Sequence, residues 1–120
     1  MQYADYPLIK PLKKLIIKVP QHKTIIKHST NGFSSPKLKE VIEKWDISTL
    51  AFMGIYASAC VCETAQTTLN LELKVCSAYP LIGEPLSYRQ KEGKDIYGAE
   101  WFRQNGEYFD NYRDLIKIIT

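Results

Sequence analysis

The sequence predicts an α+β domain whose strands concentrate in the second half of the chain. Three observations carry this expectation. Leu69, Leu71, Leu73 and Val75 alternate with Asn70, Glu72 and Lys74, the period of a half-buried strand. Ser35 and Pro36 stand before a helical stripe of Leu38, Val41, Ile42 and Trp45. Beyond Pro80 the turn residues Gly83, Pro85, Gly93 and Gly98 recur, and Asn105-Gly106 between aromatic-rich segments reads as a hairpin turn.

Taken in order, residues 11–19 begin with Pro11 and end at Pro20. Leu12, Leu15, Ile16 and Val19 fall at helical spacing, while the contiguous Leu15-Ile16-Ile17 suits a buried strand equally. Thr24-Ile25-Ile26 is a short apolar stretch ending in the polar cluster His28-Ser29-Thr30-Asn31-Gly32. The helix near 35–45 follows, with Ser35 as cap and Pro36 at the first helical position. Leu50 to Tyr56 is apolar and ambiguous between strand and helix, and residues 59–67 suit a short helix. The alternating strand 69–75 comes next, and Ile116-Lys117-Ile118-Ile119 reads as a closing strand.

With 120 residues the chain has the size of one domain, and 45% apolar with 24% charged residues excludes a disordered or fibrous composition. Its apolar runs fall far short of the roughly 20 residues of a membrane span, and its start does not resemble a secretory leader. Cys60, Cys62 and Cys76 are an odd number, and Cys60 and Cys62 lie too close for an ordinary disulfide. Three free thiols, without metal, in a reducing cytoplasmic setting are expected. Cys60-x-Cys62 lacks a second ligand pair, and His22 and His28 do not supply zinc spacing. Nucleotide-binding glycine loops and a G-x-S-x-G elbow are absent.

The net charge is +3, and residues 1–27 hold Lys10, Lys13, Lys14, Lys18, Lys23 and Lys27 against Asp5 alone. A solvated basic face is the main reading of this stretch, and nucleic-acid binding is the weaker one.

Three local patterns remain: Lys27-His28-Ser29-Thr30 after an apolar stretch, Gly54-Ile55-Tyr56 with Thr64-Ala65 about nine residues on, and Glu107-Tyr108 near the end. In this order they resemble the NAD-dependent ADP-ribosyltransferase domain of the poly(ADP-ribose) polymerase type, over residues 25–119. The resemblance implies a small split β-sheet with short helices, behind a basic N-terminal element at 1–24. It implies transfer of ADP-ribose from NAD, as substrate, to a target protein with release of nicotinamide. NAD hydrolysis is the variant within that class. His28 would bind the nicotinamide ribose, Tyr56 would stack on the nicotinamide ring, and Glu107 would stabilise the oxocarbenium ion. Ser29, Thr30 and Thr64 would complete the cofactor site. Ser29 stands where that family has glycine, and Thr67 where it has a second tyrosine. The bland alternatives are a turn histidine at 28, a core aromatic at 56 and an exposed hairpin residue at 107. A non-catalytic protein that blocks a partner is the rival function.

Overall fold

Ser35 and Pro36 do start the first helix. In the computed structural model, which describes residue 14 and residues 18–85 and 97–119, α1 spans Pro36–Lys44. The Ser35 hydroxyl accepts from the Lys37 N–H at 3.4 Å. Ile42 is the buried member of the apolar stripe. The helix stops at Asp46, which has φ 51°, and the Ile47 N–H returns to the Ile42 carbonyl at 3.0 Å. That is a left-handed helix stop made without glycine. The segment 11–19 lies mostly outside the described residues, as do Lys10 and Lys13. Residues 22–27 take no regular secondary structure.

The apolar run after α1 resolves into two short strands, β1 (Thr49–Ala51) and β2 (Gly54–Ile55). A π-helical turn, Ala57–Val61, leads from β2 into α2, Cys62–Asn70. Then come β3 (Lys74–Ala78), β4 (Ile82–Gly83), α3 (Tyr97–Asn105), β5 (Glu107–Phe109) and α4 (Tyr112–Ile119). One sheet has the order β1-β3-β5 and a second pairs β2 with β4; every pairing is parallel. Parallel strands need crossover segments, and helices supply them here. The fold is therefore α/β, not the α+β split sheet that the sequence predicts.

Each misread element has a physical cause. The Leu69–Val75 alternation crosses an element boundary. Val61, Ala65, Thr68 and Leu69 form a helical stripe that keeps the chain in α2 through Asn70. Glu72 at φ 64° stops this helix, and the strand begins only at Lys74. Asn105-Gly106 ends a helix: the Gly106 N–H donates to the Phe102 carbonyl at 2.8 Å, and β5 runs parallel to β3. Residues 116–119 are helical because Asn111 caps the segment, accepting the Arg113 N–H at 2.8 Å.

The sheet is covered on both faces. Val75 packs with Ala65 of α2 and Phe102 of α3, while Cys76 and Ala78 face Leu115 of α4. The period of 2 along β3 thus feeds two cores at once. No helix among the described residues is long and apolar enough to cross a membrane.

Candidate functional site

Strands β1 and β2 run almost end to end beside β3 and β4, with Ala51 opposite Cys76 and Gly54 opposite Ile82. Between these pairings β3 ends at Ala78, and residues 79–81 form a turn that includes the cis Tyr79-Pro80 bond. Clefts in parallel α/β sheets lie at the carboxyl ends of the strands. Here β2 ends at Ile55, the Ile55-Tyr56 peptide is cis, and the chain enters the π-helical turn. The Tyr56 carbonyl accepts from the Ala59 N–H at 3.0 Å and from the Val61 N–H at 3.2 Å. Cys60 sits inside this turn, half-buried, with a free thiol.

Three elements fix the turn. From α3, Gly98 lies so close that a side-chain Cβ there would collide with Ala57 and come within 2.7 Å of its carbonyl carbon. Glycine is needed at that crossing for space. From the end of β4, the buried Glu84 accepts the Ser58 N–H on Oε1 at 2.6 Å. On the opposite side, the turn 28–34 docks along α2. The Gly32 N–H donates to the Thr64 hydroxyl at 2.8 Å, and that hydroxyl donates to the Cys60 carbonyl at 2.8 Å. Asn31 donates to the Thr67 hydroxyl at 2.8 Å, and the Thr30 hydroxyl donates to Glu63. Lys27, the one described lysine that is not exposed, donates to the Thr30 carbonyl at 3.1 Å.

The three thiols are not equivalent. Burial pushes the Cys62 thiol above its ordinary value, and the neighbouring carboxylates of Glu63 and Glu84 push it further. Burial does the same to Cys76, helped by Glu107, and its S–H points to the Leu50 carbonyl at 3.7 Å. Both shifts disfavour the thiolate, which is the nucleophilic form. No group of three or more His, Cys, Asp or Glu suited to a metal ion occurs among the described residues.

Of the residues singled out in the sequence, Thr30, Tyr56 and Thr64 do gather around the Cys60 turn. Tyr56 is 44% exposed at its start. Ser29 stays local, accepting the Asn31 N–H on its hydroxyl at 3.3 Å. His28 is exposed in the docking turn, and its backbone N–H donates to Ser34. Glu107 opens β5, beyond β3 and in the sheet that does not contain β2. His28 lies in a turn, Tyr56 follows β2 and Glu107 opens β5 of the other sheet, so the three are not carried on neighbouring strands. Sequence reasoning passed over Cys60, Lys27 and Glu84, treating the cysteine as one of three free thiols and the lysine as part of a solvated face.

Comparison with known proteins gives one consistent picture. The family model described as the isochorismatase domain matches residues 6–78, more than half of the chain. Among solved structures, an isochorismatase-like hydrolase from Alkaliphilus metalliredigens superposes with TM-score 0.68 at 20% identity, covering 84% of this chain and 54% of that one. The nicotinamidase SaPncA from Staphylococcus aureus superposes with TM-score 0.67 at 21% identity, covering 86% and 64%. The chain thus spans between about half and two thirds of the length of these structures. No curated protein matches in sequence. These findings overturn the ADP-ribosyltransferase resemblance, and with it the transfer reaction and NAD as substrate. The roles given to His28, Tyr56, Glu107, Ser29, Thr30 and Thr64 came from that resemblance and lose that basis. Nothing in the comparisons supports the non-catalytic blocker.

Proposed function

Because the chain belongs to the isochorismatase family, we propose that its site hydrolyses a small planar carboxamide, with Cys60 as the nucleophile. The observation that carries this is the place of Cys60, half-buried in the turn at the carboxyl end of β2. The carboxamide is suggested by the nicotinamidase among the structural neighbours.

The Cys60 thiol gives up its proton, and the sulfur attacks the amide carbonyl carbon. The carbonyl electrons move to oxygen, then return as the C–N bond breaks. Ammonia leaves with the proton that the thiol released. Water then attacks the thioester, the acid departs and the thiol is restored. Lys27, held by the turn that docks on the first turns of α2, is our candidate for the cation that favours the thiolate. Tyr56 offers an aromatic face at the rim for a ring substrate. A cytoplasmic setting suits three free thiols.

Ammonia release from nicotinamide tests the proposal. Cys60→Ala should lower turnover by about a thousandfold or more, and Cys62→Ala should leave it nearly intact, both with an unchanged melting temperature. A wild-type protein that releases no ammonia from nicotinamide, or a Cys60→Ala variant that releases it equally, overturns the reading.

A further inference from the structure

Glu84 is 2% exposed, and the sequence gives no reason for a carboxylate there: it follows a two-residue strand, between Gly83 and Pro85. A buried carboxylate is costly unless hydrogen bonds hold it. Its Oε1 takes the Ser58 N–H at 2.6 Å. Ser58 stands in the first turn of the helical segment that begins at Ala57, where backbone N–H groups lack partners within the helix. The acceptor comes from a different strand, 26 residues along the chain. A serine or aspartate at the cap position would satisfy the same helix start locally, but Tyr56 occupies that position and makes no side-chain cap bond.

We propose that Glu84 is the positioning residue of the site: its carboxylate, fixed at the end of β4, anchors the turn that presents Cys60 by holding the Ser58 N–H. The anchor ties β4 to the segment following β2, the strand with which β4 pairs, so the turn cannot rotate on the sheet without breaking this bond. Gly98 against Ala57 blocks the same movement from the side of α3. The proposal rests on Cys60 being the nucleophile, but its main readout does not use a substrate.

The test compares Glu84→Gln, Glu84→Asp and Glu84→Ala in the full chain. Gln keeps the length and an acceptor oxygen, Asp keeps the charge but falls one methylene short, and Ala keeps neither. Hydrogen exchange of the Ser58 amide should rise about tenfold or more in Ala and Asp and stay near wild type in Gln. The rate of Cys60 alkylation by iodoacetamide, in a Cys62→Ala background, should change about fivefold or more in Ala and Asp and return to within about twofold in Gln. If Ala does not fold, the opposed behaviour of Asp and Gln decides. Unchanged Ser58 exchange in Asp overturns the anchor. Altered exchange with unaltered Cys60 alkylation overturns its bearing on the cysteine. Equal effects of Gln and Asp replace positioning by a generic packing defect and also overturn it. Loss of nicotinamide hydrolysis in Cys60→Ala is a separate matter, so the two readings fail separately.

Discussion

Cys62 and Cys76 show how burial and nearby carboxylates act together on a thiol. For Cys62 the main cause is burial, with Glu63 and Glu84 adding repulsion to the thiolate. Its alkylation should therefore set in at higher pH than that of a free thiol. Glu63→Gln should move the midpoint down, as measured by iodoacetamide rate against pH in a Cys60→Ala background; an unmoved midpoint would exclude the Glu63 charge as a cause. Cys76 links the same effect to stability. Its folded pKa lies above the ordinary thiol value. The unfolded thiol ionises near that value while the folded one keeps its proton. The stabilisation is thus complete below the unfolded pKa, and it is lost as pH rises from there through the folded pKa. Melting temperature should fall over that alkaline range, and Cys76→Ala should flatten the fall. The distinction among the thiols was not legible in the sequence, because it depends on Glu84 and Glu107, which approach only in the folded chain.

Among the elements, α1 was legible because everything that defines it is local. Ser35, Pro36 and the stripe ending at Ile42 and Trp45 lie within one window. Ser35→Ala should cost about 1 kcal/mol, read from the urea midpoint. The boundary between α2 and β3 was not legible, since Leu69, Leu71 and Leu73 fit either period and the decision falls to Val75, Ala65 and Phe102 packing in one cluster. The same holds for Asn105-Gly106, where the partner strand β3 comes from far away in sequence and runs parallel. The crossing of α3 over the Cys60 turn makes a sharper prediction. Gly98→Ala should destabilise by about 1–3 kcal/mol through overpacking against Ala57, although alanine favours an isolated helix. A gain in stability instead would show that α3 can shift away from the turn.

On the scale of the whole molecule, the site is tied to the core by Phe102. This ring is fully buried, lies 5.0 Å from Trp101 and 5.8 Å from Phe52, and belongs to the cluster that contains Ala57 and Val61 on either side of Cys60. Its cluster joins α2, α3 and β3, so a single side chain couples the sheet, two covering helices and the Cys60 turn. The resemblance read from His28, Tyr56 and Glu107 missed this organisation, because it took the order of motifs along the chain for adjacency in space. Parallel pairing separates the two: the strand order β1-β3-β5 places helical segments between neighbours. Phe102→Ala should remove about 3–5 kcal/mol, a large share of the roughly 5–15 kcal/mol that holds a domain together. The urea midpoint should fall accordingly. Because the cavity opens beside Ala57 and Val61, iodoacetamide should also modify Cys60 at an altered rate under conditions where the variant remains folded. A lowered midpoint with wild-type Cys60 reactivity would show that Glu84 and the 28–34 turn hold the site without help from the core.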